Sequence, residues 1–161
     1  MFTLGEIIDL AVQIEKNGEK SYRKAQDEIS DISVSSMLKW LADDEAEHEK
    51  WFINMKEEID EKIEDPRLEE MGKEILTSVL GEQAFSMDDA DFNKIDNITA
   101  LLELSIEFEK DTILFYEMIK DFIDDSKVMA GIDKIIEEEN KHVKKLEEFL
   151  GKGEILMADN P

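Results

Sequence analysis

The chain has 161 residues, 42 acidic and 19 basic, for a formal net charge of −23, with 42% apolar residues and no cysteine. The length suits one domain, residues 1–161, around one core. The acid excess argues against nucleic acid and anionic membrane surfaces as partners, because their phosphates meet a repelling field, and the missing thiols exclude disulfides, thiolate zinc, iron–sulfur ligation and a cysteine nucleophile.

From Met1 to Asp9 no positive stretch precedes the apolar residues, so the start does not read as a secretion signal, and no run is long enough to span a bilayer. The expectation is a soluble cytoplasmic protein with no membrane partner. The first predicted helix opens at Thr3, with Glu6 three residues on in a capping-box pattern, and runs to about Glu28. The second begins near Ser33 and continues to Asp65, where Pro66 must end it. A connection over 66–96 follows, with a short amphipathic helix suggested by Met71, Ile75, Val79 and Leu80 before the acidic loop Asp88-Asp89-Ala90-Asp91. Asn97 can cap a third helix reaching about Ile123, and a fourth runs from near Ser126 to Gly151, leaving 151–161 as a frayed tail.

The chain repeats itself. Shifted by 94 positions without a gap, Glu15-Lys16 falls on Glu109-Lys110, Tyr22 on Tyr116, Val34 on Val128, Glu45 on Glu139 and His48 on His142. Residues 3–65 and 97–150 are therefore two copies of one helical hairpin, related by a pseudo-two-fold axis. The turns at Ser30-Asp31-Ile32 and Asp124-Asp125-Ser126 lie midway between the glutamates of each copy, so folding brings each pair to one level. A charged residue and an imidazole interrupt the apolar stripe of the fourth helix, Val128, Ile132, Ile135, Glu139, His142, Leu146 and Phe149. The second helix repeats this with Leu38, Leu41, Glu45, His48, Phe52 and Met55. The stripes Ala11, Glu15, Gly18, Tyr22 and Ser105, Glu109, Thr112, Tyr116 bring one more glutamate each.

Four carboxylates and two imidazoles in a dry core are costly unless something pairs with them. Two divalent cations balance four glutamates in charge, and the oxygen and nitrogen donors suit iron or manganese better than copper(I). Spacing agrees, because residues three apart share a helix face, so each Glu-x-x-His presents its two donors together. Tyr22 and Tyr116 are either core aromatics or donors to ligand carboxylates. Gly18 and Thr112 leave little bulk beyond the first and third helix glutamates, which means either substrate space or close helix packing. Packing is the simpler reading.

On Ile14-Glu15-Lys16 with Tyr22, Asp44-Glu45-Ala46-Glu47-His48, Phe108-Glu109-Lys110 with Phe115-Tyr116, and Glu138-Glu139-Asn140-Lys141-His142, the sequence resembles the rubrerythrin branch of the ferritin-like superfamily. The resemblance implies an all-α, ferritin-like four-helix bundle made of two duplicated hairpins joined by a long crossover, holding a non-haem di-iron centre. It makes Glu15 and Glu109 terminal carboxylates, Glu45 and Glu139 bridges, and His48 and His142 nitrogen ligands, with manganese or zinc able to take the place of iron. The implied activity is oxidoreductase chemistry on hydrogen peroxide or dioxygen, a response to oxidative stress. Two departures stand out. The family has a further glutamate where Thr112 stands, and it commonly appends a cysteine-ligated rubredoxin iron, for which this chain has no cysteine. Electrons are thus expected from an external rubredoxin-like or flavin protein, to a bundle expected to be a homodimer. The alternatives are a ferroxidase that handles iron and a bundle whose metals only stabilise the fold.

Overall fold

A computed structural model describes residues 4–58, 67, 70 and 95–158. Among them are four long helices, α1 (Leu4–Glu28), α2 (Ile32–Lys56), α3 (Ile95–Lys120) and α4 (Ser126–Ala158), and no strand. Asp31 caps α2, its side chain accepting from the Val34 amide at 3.0 Å. Asp125 does the same for α4, accepting from the Lys127 and Val128 amides at 2.8 and 3.1 Å. These caps relieve amides that a helix start leaves unpaired, and the two aspartates stand 94 residues apart.

Four helix ends differ from expectation. α2 stops at Lys56 rather than Asp65, its end closed by the Glu57 and Glu58 amides bonding back to Asn54 and Met55. The residues that follow include Glu57, Glu58, Asp60 and Glu61, and crowded negative charge opposes the negative end of the helix dipole. α3 begins at Ile95, so Asn97 lies inside it and does not cap it. It ends at Lys120 because Asp121, Phe122 and Ile123 continue as tighter turns, each bonding three residues back. α4 passes through Gly151 to Ala158, since Gly151 does not adopt the left-handed conformation that a terminating glycine supplies. The cap at Thr3, the stop at Pro66, the short helix at Met71, Ile75, Val79 and Leu80, and the loop Asp88–Asp91 lie outside the described residues.

Ion pairs set the direction of each helix. Asp9–Lys56, Lys16–Glu49 and Arg23–Asp43 run α1 antiparallel to α2, and Lys120–Asp133 with Lys110–Glu147 does the same for α3 and α4. Tyr22 reaches Glu109 while Tyr116 reaches Glu15, so α1 and α3 are antiparallel across the bundle. Contacts of His48 with Glu138 and of His142 with Asp44 make α2 and α4 antiparallel too. α2 and α3 are therefore parallel, which a chain achieves only with a long return between them. Two apolar clusters fill the ends of the bundle, one around Ile7, Ile8, Phe52, Ile119 and Ile132, the other around Leu38, Leu41, Leu101 and Leu146. A buried polar layer separates them.

One glycine shows how tightly the second hairpin meets its neighbours. A β-carbon on Gly131 would fall 2.0 Å from Cζ2 of Trp51, closer than carbon atoms approach, so Gly131 is the floor on which this indole lies. Gly131→Ala is expected to push Trp51 into solvent and cost about 1–3 kcal/mol of overpacking, against about 1 kcal/mol gained in helix propensity. A red shift of Trp51 fluorescence with a lower unfolding midpoint checks this, and unshifted emission contradicts it.

Candidate metal centre

The polar layer consists of Glu15 on α1, Glu45 and His48 on α2, Glu109 on α3, and Glu139 and His142 on α4, all buried. The six residues picked out by helical spacing thus meet at one level. They form two overlapping groups of four, Glu15, Glu45, His48, Glu139 and Glu45, Glu109, Glu139, His142, in each of which one donor atom per residue lies within 4.8 Å of the others. Glu45 and Glu139 belong to both.

Hydrogen bonding sorts the carboxylates by role. Tyr22 donates to Oε1 of Glu109 at 2.7 Å, and Tyr116 donates to Oε1 of Glu15. Each terminal glutamate is therefore left with one unpaired buried oxygen, Oε2, whereas both oxygens of Glu45 and both of Glu139 are unpaired. The Nδ1 atoms of His48 and His142 lack hydrogen-bond partners as well, although His48 Nδ1 lies 2.7 Å from Glu139 Oε1 and His142 Nδ1 lies 3.2 Å from Glu45 Oε1. Buried polar atoms left this way cost about 1–3 kcal/mol each. One free oxygen on each outer glutamate, two on each shared one and one free nitrogen per imidazole make a donor set for two cations, which the residues present fit.

Proton affinities follow from the crowding. Burial, and then the neighbouring charge of Glu139, push Glu109 up to about 8, and burial with Glu139 and Glu15 raises Glu45 well above the carboxylate range. Burial works against a charge on His48, yet the close carboxylates of Glu139 and Glu15 outweigh it and push it up to about 11; His142 is raised likewise, by Asp44 and the glutamates against burial. Burial keeps both tyrosines protonated, as their donor role requires. At neutral pH the metal-free cluster therefore holds protons that a cation must displace. Metal affinity is expected to rise with pH, with protons released as metal binds. Titration with cobalt(II) at about pH 6 and about pH 8, with an indicator dye, reads both; equal affinities without proton release contradict the assignment.

A family model described as Rubrerythrin matches residues 6–150. The chain belongs to the rubrerythrin family. A crystal structure described as a ferritin-like diiron-carboxylate protein from Thermotoga maritima is similar, with a TM-score of 0.69 and 22% identity over 92% of this chain and 95% of that one, a likeness that shows the ferritin-like fold. No curated protein matches. No described helix of this rubrerythrin-family chain is long and apolar enough to cross a membrane.

Asp44 and Glu138 border the candidate site, and the sequence motifs include them without assigning them a part. His142 Nε2 lies 2.9 Å from Asp44 Oδ2, and His48 Nε2 lies 2.6 Å from Glu138 Oε2. An Nε2–H held by a carboxylate turns the other nitrogen, Nδ1, inward, where its lone pair becomes available to a cation that displaces the proton. The shift of 94 that aligns the six candidate ligands also lays Asp44 on Glu138, an acid on an acid, and that was the available signal. Asp44→Asn and Glu138→Gln are each expected to weaken metal binding by roughly 10- to 100-fold. Isothermal titration with cobalt(II) measures this, and wild-type affinity in both variants would show that these carboxylates do not orient the rings.

Tyr22 and Tyr116 are buried, and each donates to a carboxylate of the cluster. Gly18 and Thr112 are both buried. A β-carbon on Gly18 would meet Phe108 at 3.2 Å and Glu45 Oε2 at 3.3 Å, so that space is already filled. The Thr112 hydroxyl donates to its own helix at Phe108 O, 2.8 Å away, and not to a ligand.

Proposed function

We propose that this rubrerythrin-family bundle holds two iron ions and acts as an oxidoreductase that reduces hydrogen peroxide or dioxygen with electrons from an external carrier. The observation that carries the reading is the pattern of unpaired donors: eight buried atoms on six residues, divided one and one on the outer glutamates, two and two on the shared glutamates, and one per histidine. Glu15, Glu45, His48 and Glu139 would hold one ion, and Glu45, Glu109, Glu139 and His142 the other. Two bound iron(II) ions supply one electron each, the two that hydrogen peroxide needs, with two protons, to become two waters.

The chain's own part is to hold and to exclude. Tyr22 and Tyr116 fix the outer glutamates so that each directs one oxygen inward. Asp44 and Glu138 fix the imidazole rings. The apolar clusters on either side keep water from the layer, which strengthens every charge interaction within it. The reading includes a cytoplasmic location, where soluble carriers are at hand, and a homodimeric assembly.

The test is a single turnover of the anaerobically iron-loaded protein with each oxidant, followed by desalting and iron analysis. The expected result is one peroxide consumed per two iron(II) ions, with both ions retained and reducible again. Iron released after oxidation would instead favour iron handling, and absence of oxidation would favour a metal-stabilised bundle.

A further inference from the structure

Trp40 stands on α2 one turn before Asp44, 38% exposed to solvent. Its indole meets the His142 ring edge-on, with centroids 5.0 Å apart and planes at 78°. The far side of that imidazole faces the cluster, with Nδ1 at 3.2 Å from Glu45, 3.4 Å from Glu139 and 3.5 Å from Glu109. Two conjugated rings in contact thus lead from solvent to the donor atoms with no saturated chain between them. The pseudo-two-fold does not repeat this contact, because the residue 94 positions after Trp40 is Lys134. The path therefore serves the His142 side of the cluster and breaks the symmetry of the ligand set.

We propose that Trp40 is where electrons pass from an external one-electron carrier to the buried centre, the carrier setting its cofactor edge against the indole. This rests on the oxidoreductase reading above. In each transfer the reduced carrier loses one electron and one iron(III) becomes iron(II), so two transfers restore the pair. Trp40 forms and breaks no bond; its ring couples the carrier to His142. The charges beside it are mixed: Asp43, on the same helix, is paired with Lys39 at 2.8 Å and Arg23 at 3.1 Å, and Asp44 is partly exposed where it holds His142. The net charge of −23 over the whole chain favours a carrier with a positively charged rim, whose docking weakens as salt rises.

The experiment uses the iron-loaded, oxidised protein and photoexcited tris(bipyridyl)ruthenium(II), a cationic one-electron reductant too broad to enter the bundle, with dithionite as a small anionic comparator. Parent, Trp40→Phe, Trp40→Leu and Trp51→Phe are compared at equal iron content. Reduction by the ruthenium complex is expected to fall by roughly tenfold or more in Trp40→Leu, about 1.4 kcal/mol on the transfer barrier, because the ring contact with His142 is lost. It should be largely kept in Trp40→Phe and Trp51→Phe, slow with ionic strength, and leave dithionite rates unchanged throughout. A second readout needs no turnover: adding the ruthenium complex in the dark should shift the indole N–H resonance of Trp40 and not that of Trp51. Equal ruthenium rates in parent and Trp40→Leu, or a shift confined to Trp51, would overturn the proposal alone. Failure of both reductants to reduce the parent would overturn the oxidoreductase reading and the proposal with it.

Discussion

Glu139→Ala is expected to empty both halves of the centre, whereas Glu15→Ala or Glu109→Ala weakens one half more than the other. Oε1 of Glu139 faces His48 Nδ1 at 2.7 Å and Oε2 faces His142 Nδ1 at 3.4 Å, so one carboxylate addresses both groups of donors. Alanine removes two of the donor atoms that lack any other partner. The loss in affinity should exceed, at both sites, the roughly 10- to 100-fold typical for removing an outer hydrogen-bond partner. Metal-binding isotherms for the three variants separate these cases. Two metals retained at parental affinity in Glu139→Ala would remove the shared role from this residue.

Stripping the metal is expected to cost the protein much of its stability. Bound cations stabilise the folded chain in proportion to the logarithm of their concentration over the dissociation constant, about 4 kcal/mol at a thousandfold excess. For a chain of this size each kcal/mol moves the melting temperature by roughly 2–4 °C, so the apo form should melt roughly 10 °C or more below the loaded one. The apo protein folds around retained protons. Because burial and Glu139 hold Glu109 up to about 8, above its unfolded value, the stability linked to that proton is present at low pH and lost as pH rises through about 8. The gap between apo and loaded forms should therefore widen with pH over that range. Calorimetry before and after chelation, with metal content assayed, measures it, and an unchanged midpoint after confirmed metal loss contradicts the idea that cations neutralise the core.

Much of this architecture is legible in the sequence because the repeat supplies what periodicity lacks. A stripe such as Ile132, Ile135, Glu139, His142 and Leu146 says only that a charged residue sits on an apolar face, whereas a shift of 94 that lays Glu45 on Glu139 and His48 on His142 says that two such faces are the same object. The parallel course of α2 and α3 follows from that symmetry and agrees with the tyrosine and histidine contacts. Helix ends were less legible. Nothing local stops α2 at Lys56 except accumulated acidic charge, and Gly151 looks like a terminator while its backbone stays helical. Asp44 and Glu138 went unread because an acid on a helix in so acidic a chain looks like solvated surface; only the fold shows that each lies against a histidine. Trp40 is similar, since its helical spacing fits core or flank alike and nothing in the sequence places His142 against it.

Anomalous diffraction at the iron edge from crystals of the iron-loaded protein is expected to show two iron peaks in the polar layer, each approached by one histidine through Nδ1 and one outer glutamate through Oε2, with Glu45 and Glu139 touching both. A single peak, peaks outside the layer, or histidines turned to bind through Nε2 would contradict this assignment.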